Sequence, residues 1–142
     1  MEIRIGIVED QTKVAERLKT RLSFYDDLKI VLCADHTEDC LNKLSVLEPY
    51  QLPHVILMDI EMPGKSGIVA TQEIKALYPD INILIQTVFQ DDDKIFRSIH
   101  AGASGYLLKE DPIDKYVNAM HELMGGGAAL SPSIAAKLMN ME

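Results

Sequence analysis

Five short apolar runs, each followed by a longer segment whose apolar residues recur every three or four positions, divide this chain almost from end to end. The runs extend from Glu2 to Val8, Lys29 to Ala34, His54 to Met58, Ile81 to Thr87 and Gly105 to Leu108. After them, Val14, Leu18, Leu22 and Tyr25 share one helical face, as do Leu41, Leu44 and Leu47. Ala70, Ile74 and Leu77 mark a third helix, Ile95 and Ile99 a fourth, and Ile113, Val117, Met120 and Met124 a fifth. Strict alternation of this kind predicts an α/β fold, because parallel strands need crossover connections and these carry the helices. Strands that are apolar on both faces belong to a doubly wound five-stranded parallel sheet.

The punctuation agrees. Pro49, Pro53 and Pro79 fall just outside the proposed helices, and Gly125, Gly126 and Gly127 end the fifth. The tail LSPSIAAKL then predicts a short sixth helix, with Ser131 as N-cap, Pro132 at the first position, and Ile134 and Leu138 four apart.

A chain of 142 residues, 47% apolar and 25% charged, suits one ordinary globular core. Its net charge of −8 argues against gripping nucleic acid through phosphates by itself. Cys33 and Cys40 lack the spacing of a disulfide or zinc framework and read as reduced thiols. No apolar run approaches the roughly 18 residues of a membrane span, and MEIRIGIVED reads as a strand rather than a basic signal peptide. A cytoplasmic location is expected.

In open parallel sheets, ligands bind at the carboxyl ends of the strands, where the strand order reverses. The first run ends on Glu9 and Asp10, the third on Asp59, the fourth on Thr87 and the fifth on Lys109. An order of 2-1-3-4-5 would make the first and third strands neighbours, and the three acids would converge. Two carboxylates about 4 Å apart repel by about 4 kcal/mol at an effective dielectric near 20, so such a cluster calls for a cation. Oxygen ligands and a few carboxylates describe Mg²⁺ better than a calcium cage. With a cation and Lys109 nearby, the central acid, Asp59, can act as a nucleophile toward phosphorus, and Thr87 can donate to a phosphoryl oxygen.

Glu9-Asp10, Asp59 within MDIEMPGKSG, Thr87, and Lys109 within AGASGYLLK together resemble the receiver domain of bacterial two-component response regulators. AGASGYLLK and GGGAALSPSIAAKL are most similar to the NarL/LuxR-type subgroup. The resemblance implies a flavodoxin-like sheet of order 2-1-3-4-5 over residues 2–125. Residues 126–142 would then be a linker and short helix leading to a helix-turn-helix DNA-binding domain that this sequence lacks. It further implies that Asp59 accepts a phosphoryl group from a sensor histidine kinase or a small phosphodonor. Asp10, Asp59 and the backbone carbonyl of Glu61 would ligate Mg²⁺, with Glu9 acting mainly through water. Thr87 and Tyr106 would be the switch pair, altering the face of fourth helix, fifth strand and fifth helix for a partner or a second copy. Glu61 and Phe89, two residues beyond Asp59 and Thr87, would flank the hydrolytic water and set the phosphoryl lifetime.

The chain departs from the family at Glu110, which follows Lys109 where proline is common in a cis peptide. Two other functions are compatible with parts of the pattern. One is a free-standing receiver acting by protein contact. The other is a haloacid-dehalogenase-like phosphatase, although that family places its nucleophile on the first strand. Asp91, Asp92 and Asp93 are expected to cap the fourth helix, the four histidines to be solvated or locally bonded, and the methionines to fill core.

Overall fold

The computed structural model describes residues 2–88, 91–130 and 132–140. Five strands form one parallel sheet: β1 (Ile3–Val8), β2 (Leu28–Ala34), β3 (Val55–Asp59), β4 (Asn82–Thr87) and β5 (Gly105–Leu108), in the order β2-β1-β3-β4-β5. The helices are α1 (Thr12–Leu22), α2 (Thr37–Ser45), α3 (Gly67–Leu77), α4 (Asp92–His100), α5 (Ile113–Met124) and α6 (Pro132–Met139). The expected alternation and strand order are both present. Boundaries differ by a residue or two, and one matters: Asp59 is the last residue of β3 and stays buried, instead of following the strand. A 3₁₀ turn at Pro49–Gln51, closed by reciprocal bonds between Glu48 and Gln51, was not legible from the apolar period.

Side-chain alternation along the strands makes two cores. Val8, Ile56, Met58, Ile83, Ile85 and Tyr106 pack with Leu44, Ile74 and Ile95 on one face. Ile5, Ile7, Val55, Leu57, Leu84 and Leu107 pack with Leu18, Leu22, Val117 and Met120 on the other. Each such fully buried side chain contributes about 1.5–3 kcal/mol of transfer free energy. Because the period is two, Thr87 lies on the same face as Tyr106, and Gln86 between them in register lies on the face of α1 and α5.

Helix starts follow their capping residues. Ser66 accepts from the Val69 amide and Asp91 from the Lys94 amide, and Asp92 and Asp93 stand in the first turn of α4 at its positive end. Gly126, with φ of 89°, reverses the chain after α5. Residues beyond it return to β5, where Ala129 bonds to Ser104 and Tyr106, and Ile134 of α6 enters the core with Ile95. The proposed N-cap, Ser131, lies outside the described residues. Met58 and Met120 are core, whereas Met139 is exposed. Cys33 and Cys40 are free thiols, and burial pushes the Cys40 thiol up to about 12.

His54 is tied into the sheet: the Arg4 amide donates to its Nδ1 at 2.9 Å. Burial, with Arg4 close by, holds its pKa below the ordinary 6.5. A depressed histidine leaves stability intact above its unfolded value and loses it as pH falls, since the unfolded chain then takes up a proton the folded chain refuses. Urea denaturation between pH 6.5 and about 5 is therefore expected to show a falling stability whose slope is shallower in His54→Gln. Equal slopes would mean that His54 does not contribute.

Candidate functional site

The carboxyl edge of the sheet gathers residues from four strand ends. β1 and β3 are neighbours, so Glu9, Asp10 and Asp59 meet there, each offering a carboxylate oxygen within 4.8 Å of the others. Glu9 and Asp59 are 2% exposed, and Asp10 is half-buried. Lys109 arrives from the end of β5, its Nζ 2.7 Å from Glu9 Oε1 and 3.2 Å from Asp59 Oδ2. Thr87 is fully buried at the end of β4, and its carbonyl accepts from the Lys109 amide at 2.8 Å.

One ammonium faces three acids. Burial works against the Lys109 charge, but hydrogen bonds and attraction from Glu9 and Asp59 outweigh it and hold the ammonium above its ordinary range. Burial and the neighbouring Glu9 carboxylate push Asp10 up. Asp10 Oδ1 is buried with no hydrogen-bond partner. An orphaned hard oxygen beside two further carboxylates is the donor set a small divalent cation requires, so the residues fit Mg²⁺.

Glu9 is more occupied than expected. One oxygen takes Lys109 and the other accepts from the Gln11 amide at 3.1 Å, which makes it a lysine anchor as well as a source of charge. Glu61 donates its amide to Asp59 Oδ1 at 3.3 Å, and its side chain is exposed. Tyr106 is buried behind Thr87, and burial together with Asp91 pushes its phenol above the usual range. Phe89 lies outside the described residues. The Lys109–Glu110 peptide is trans.

The loop after β3 passes close to the acid. Gly67 bonds back to the Ile60 carbonyl at 2.8 Å, and an added Cβ there would stand 2.0 Å from the Asp59 carbonyl oxygen. Lys65 ties the loop to α2 and α3 through Glu38 (3.0 Å) and Glu73 (2.7 Å). Two buried polar residues near the site were missed in the sequence: Gln86, adjacent to Thr87, and Tyr116 of α5, whose hydroxyl reaches it. The signal for Gln86 was an amide following the apolar run Ile83-Leu84-Ile85.

A second cluster, Asp35, His36 and Asp39, also has donor atoms within 4.8 Å of one another, which the spacing of the histidines did not suggest. It is largely exposed, sits at the positive end of α2, and has Asp35 paired with His36 and Asp39 with Lys43. Those features disfavour a cation.

Residues 5–121 match the family model described as the response regulator receiver domain. This chain belongs to that family. It is 34% identical over 138 residues to the transcriptional regulatory protein LnrK of Bacillus subtilis, covering 97% of this chain and 61% of that protein. It is 35% identical over 137 residues to the response regulator GacA of Pseudomonas protegens, covering 96% of this chain and 62% of that one. The chain thus spans about three fifths of the length of these relatives. A crystal structure of a LuxR-family two-component response regulator from Aurantimonas sp. superposes with a TM-score of 0.87 at 28% identity, covering 98% of this chain and 96% of that one. The NarL/LuxR-type resemblance agrees with that neighbour. Among the described residues, no helix is long and apolar enough to cross a membrane.

Proposed function

We propose that this receiver is a phosphorylation switch whose phosphoacceptor is Asp59. The observation that carries the reading is the convergence of Glu9, Asp10 and Asp59 within 4.8 Å, with the Lys109 ammonium 3.2 Å from Asp59. Asp10, Asp59 and the Glu61 carbonyl would hold Mg²⁺, with Glu9 contributing mainly through water. When bound, the cation neutralises charge on the phosphoryl oxygens.

An Asp59 carboxylate oxygen attacks the phosphorus of a sensor kinase phosphohistidine or a small acyl phosphate. As the new O–P bond forms, the bond from phosphorus to the donor breaks, and the imidazole or carboxylate leaves with the electron pair. Lys109 pairs with a phosphoryl oxygen as charge gathers there, and Thr87 donates its hydroxyl to another. Thr87 moves toward the phosphoryl group, and the ring of Tyr106, already buried on the same face, packs into the space it leaves, which changes the face of α4, β5 and α5. Glu61 and Phe89, two residues beyond Asp59 and Thr87 in sequence, would govern how long the phosphoryl group lasts. The chain acts as a signalling protein in the cytoplasm, not as a turnover enzyme. Residues 2–125 form the receiver, and 126–142 lead toward an output domain. Relatives bearing the words transcriptional regulatory protein and response regulator support transcription as that output. DNA would be engaged only through such a further domain, and the altered face is the site for a homodimer.

Incubation with Mg²⁺ and acetyl phosphate should yield one phosphoryl adduct by intact mass. Borohydride reduction should then convert Asp59, and no other aspartate, to homoserine. Reduction at a different residue would overturn the assignment.

A further inference from the structure

Gln86 and Tyr116 form a buried polar pair that the chemistry above leaves unused; they are 2% and 3% exposed. Gln86 is paired in register with Asp59 and immediately precedes Thr87. On the face of α5, the Tyr116 hydroxyl lies 3.1 Å from Gln86 Oε1 and 3.3 Å from the Leu108 carbonyl oxygen. Gln86 Nε2 is buried without a partner. Turning the amide over would put Nε2 on the Tyr116 oxygen and release the hydroxyl hydrogen to Leu108. A single hydroxyl hydrogen cannot serve two acceptors, so it is in this turned orientation, which also gives Nε2 a partner, that the hydroxyl bridges β4 and β5.

The Leu108 carbonyl and the Lys109 amide belong to one planar peptide group. Its oxygen is held by Tyr116 and its N–H by the Thr87 carbonyl at 2.8 Å. The preceding amide, that of Leu108, donates to Asp111 Oδ2 at 2.9 Å. Behind this node lies a cavity of about 380 Å³ lined by Val14, Arg17, Arg21, Gln86, Lys109 and Tyr116, among others. Packing is incomplete on that side, so these hydrogen bonds share in holding the Lys109 backbone. The placement matters because the ammonium must reach Glu9 at 2.7 Å and Asp59 at 3.2 Å together. A displacement of about 1 Å in a positioning group can cost up to about a hundredfold in rate.

We propose that Tyr116, oriented by Gln86, is a positioning residue for phosphoryl transfer: its hydroxyl holds the Leu108–Lys109 peptide and thereby sets the reach of the Lys109 ammonium to Asp59. This rests on the phosphoacceptor reading. A residue that only filled the core would affect stability and nothing else.

The test uses Tyr116→Phe, the double variant Gln86→Leu/Tyr116→Phe, wild type and Asp59→Ala, each phosphorylated by acetyl phosphate across a Mg²⁺ titration and followed by intact mass. Tyr116→Phe is expected to slow the reaction about tenfold at saturating Mg²⁺, with the half-saturating concentration unchanged. The double variant removes both polar partners together, so its urea midpoint should return toward wild type while its rate stays low. Recovery of the rate along with stability would overturn the proposal, as would a wild-type rate in Tyr116→Phe or a defect that vanishes at high Mg²⁺. A wild type that gains no adduct, or an adduct that survives in Asp59→Ala, would instead overturn the phosphoacceptor reading itself.

Discussion

Asp59→Asn is expected to abolish the phosphoryl adduct and to make the protein more stable in EDTA. The amide offers no carboxylate oxygen to attack phosphorus, so the first effect is complete. The second follows from the charge balance. Three carboxylates lie with oxygens within 4.8 Å, and a single ammonium stands among them. Each like-charged pair near 4 Å represents about 4 kcal/mol of gross repulsion at an effective dielectric near 20. Removing Asp59 relieves its repulsion with Glu9 and Asp10 but forfeits its 3.2 Å attraction to Lys109, which keeps Glu9 at 2.7 Å. The surplus should be on the order of 1–2 kcal/mol, the trade between stability and activity usual at functional sites. Urea denaturation with and without Mg²⁺ checks it: the cation should stabilise wild type more than the variant. A less stable variant in EDTA would show that the lysine attraction dominates.

Gly67→Ala should be the most damaging single methyl in the chain's functional loop. Its Cβ would meet the Asp59 carbonyl oxygen at 2.0 Å, the Asp59 carbonyl carbon at 2.8 Å and Ile60 Cα at 2.9 Å. All three are backbone atoms, so no rotamer change can make room, and either α3 or the end of β3 must shift. A loss of about 3 kcal/mol is expected by chemical denaturation, with phosphorylation falling as Asp59 is displaced. Gly64 is the control. Its φ of 78° disfavours a side chain, but nothing lies within 4 Å of an added Cβ, so Gly64→Ala should cost only about 1–2 kcal/mol. Equal losses at the two positions would refute the close-approach argument.

Much of the site could be read in advance because it is built from strand ends. The residues that close each apolar run, Glu9, Asp10, Asp59, Thr87 and Lys109, are those that the parallel sheet delivers to one edge. Gln86 was hidden because an amide next to a threonine at the end of a run looks like the run's own fraying. Its burial on the α5 face depends on strand parity, and only the register with Asp59 makes that matter. Tyr116 was hidden because an aromatic on the apolar stripe of α5 is ordinary core. Its hydroxyl partners come from β4 and β5. The second role of Glu9, anchoring Lys109, required two side chains a hundred residues apart in sequence to be measured against each other.

The sequence by itself determined the five strands and six α-helices, the doubly wound parallel architecture and the identity of the acidic edge. These follow from local periodicity and from which polar residues end apolar runs, and both are properties of neighbours along the chain. Only the tertiary structure decided that Asp59 is buried with Lys109 on it, that Gly67 sits against the Asp59 backbone, and that Tyr116 spans to the Leu108–Lys109 peptide. Those facts depend on distances between segments remote in sequence that must be right to a few tenths of an ångström. Hydrogen bonds and close packing are steep functions of such distances, and no periodicity encodes them.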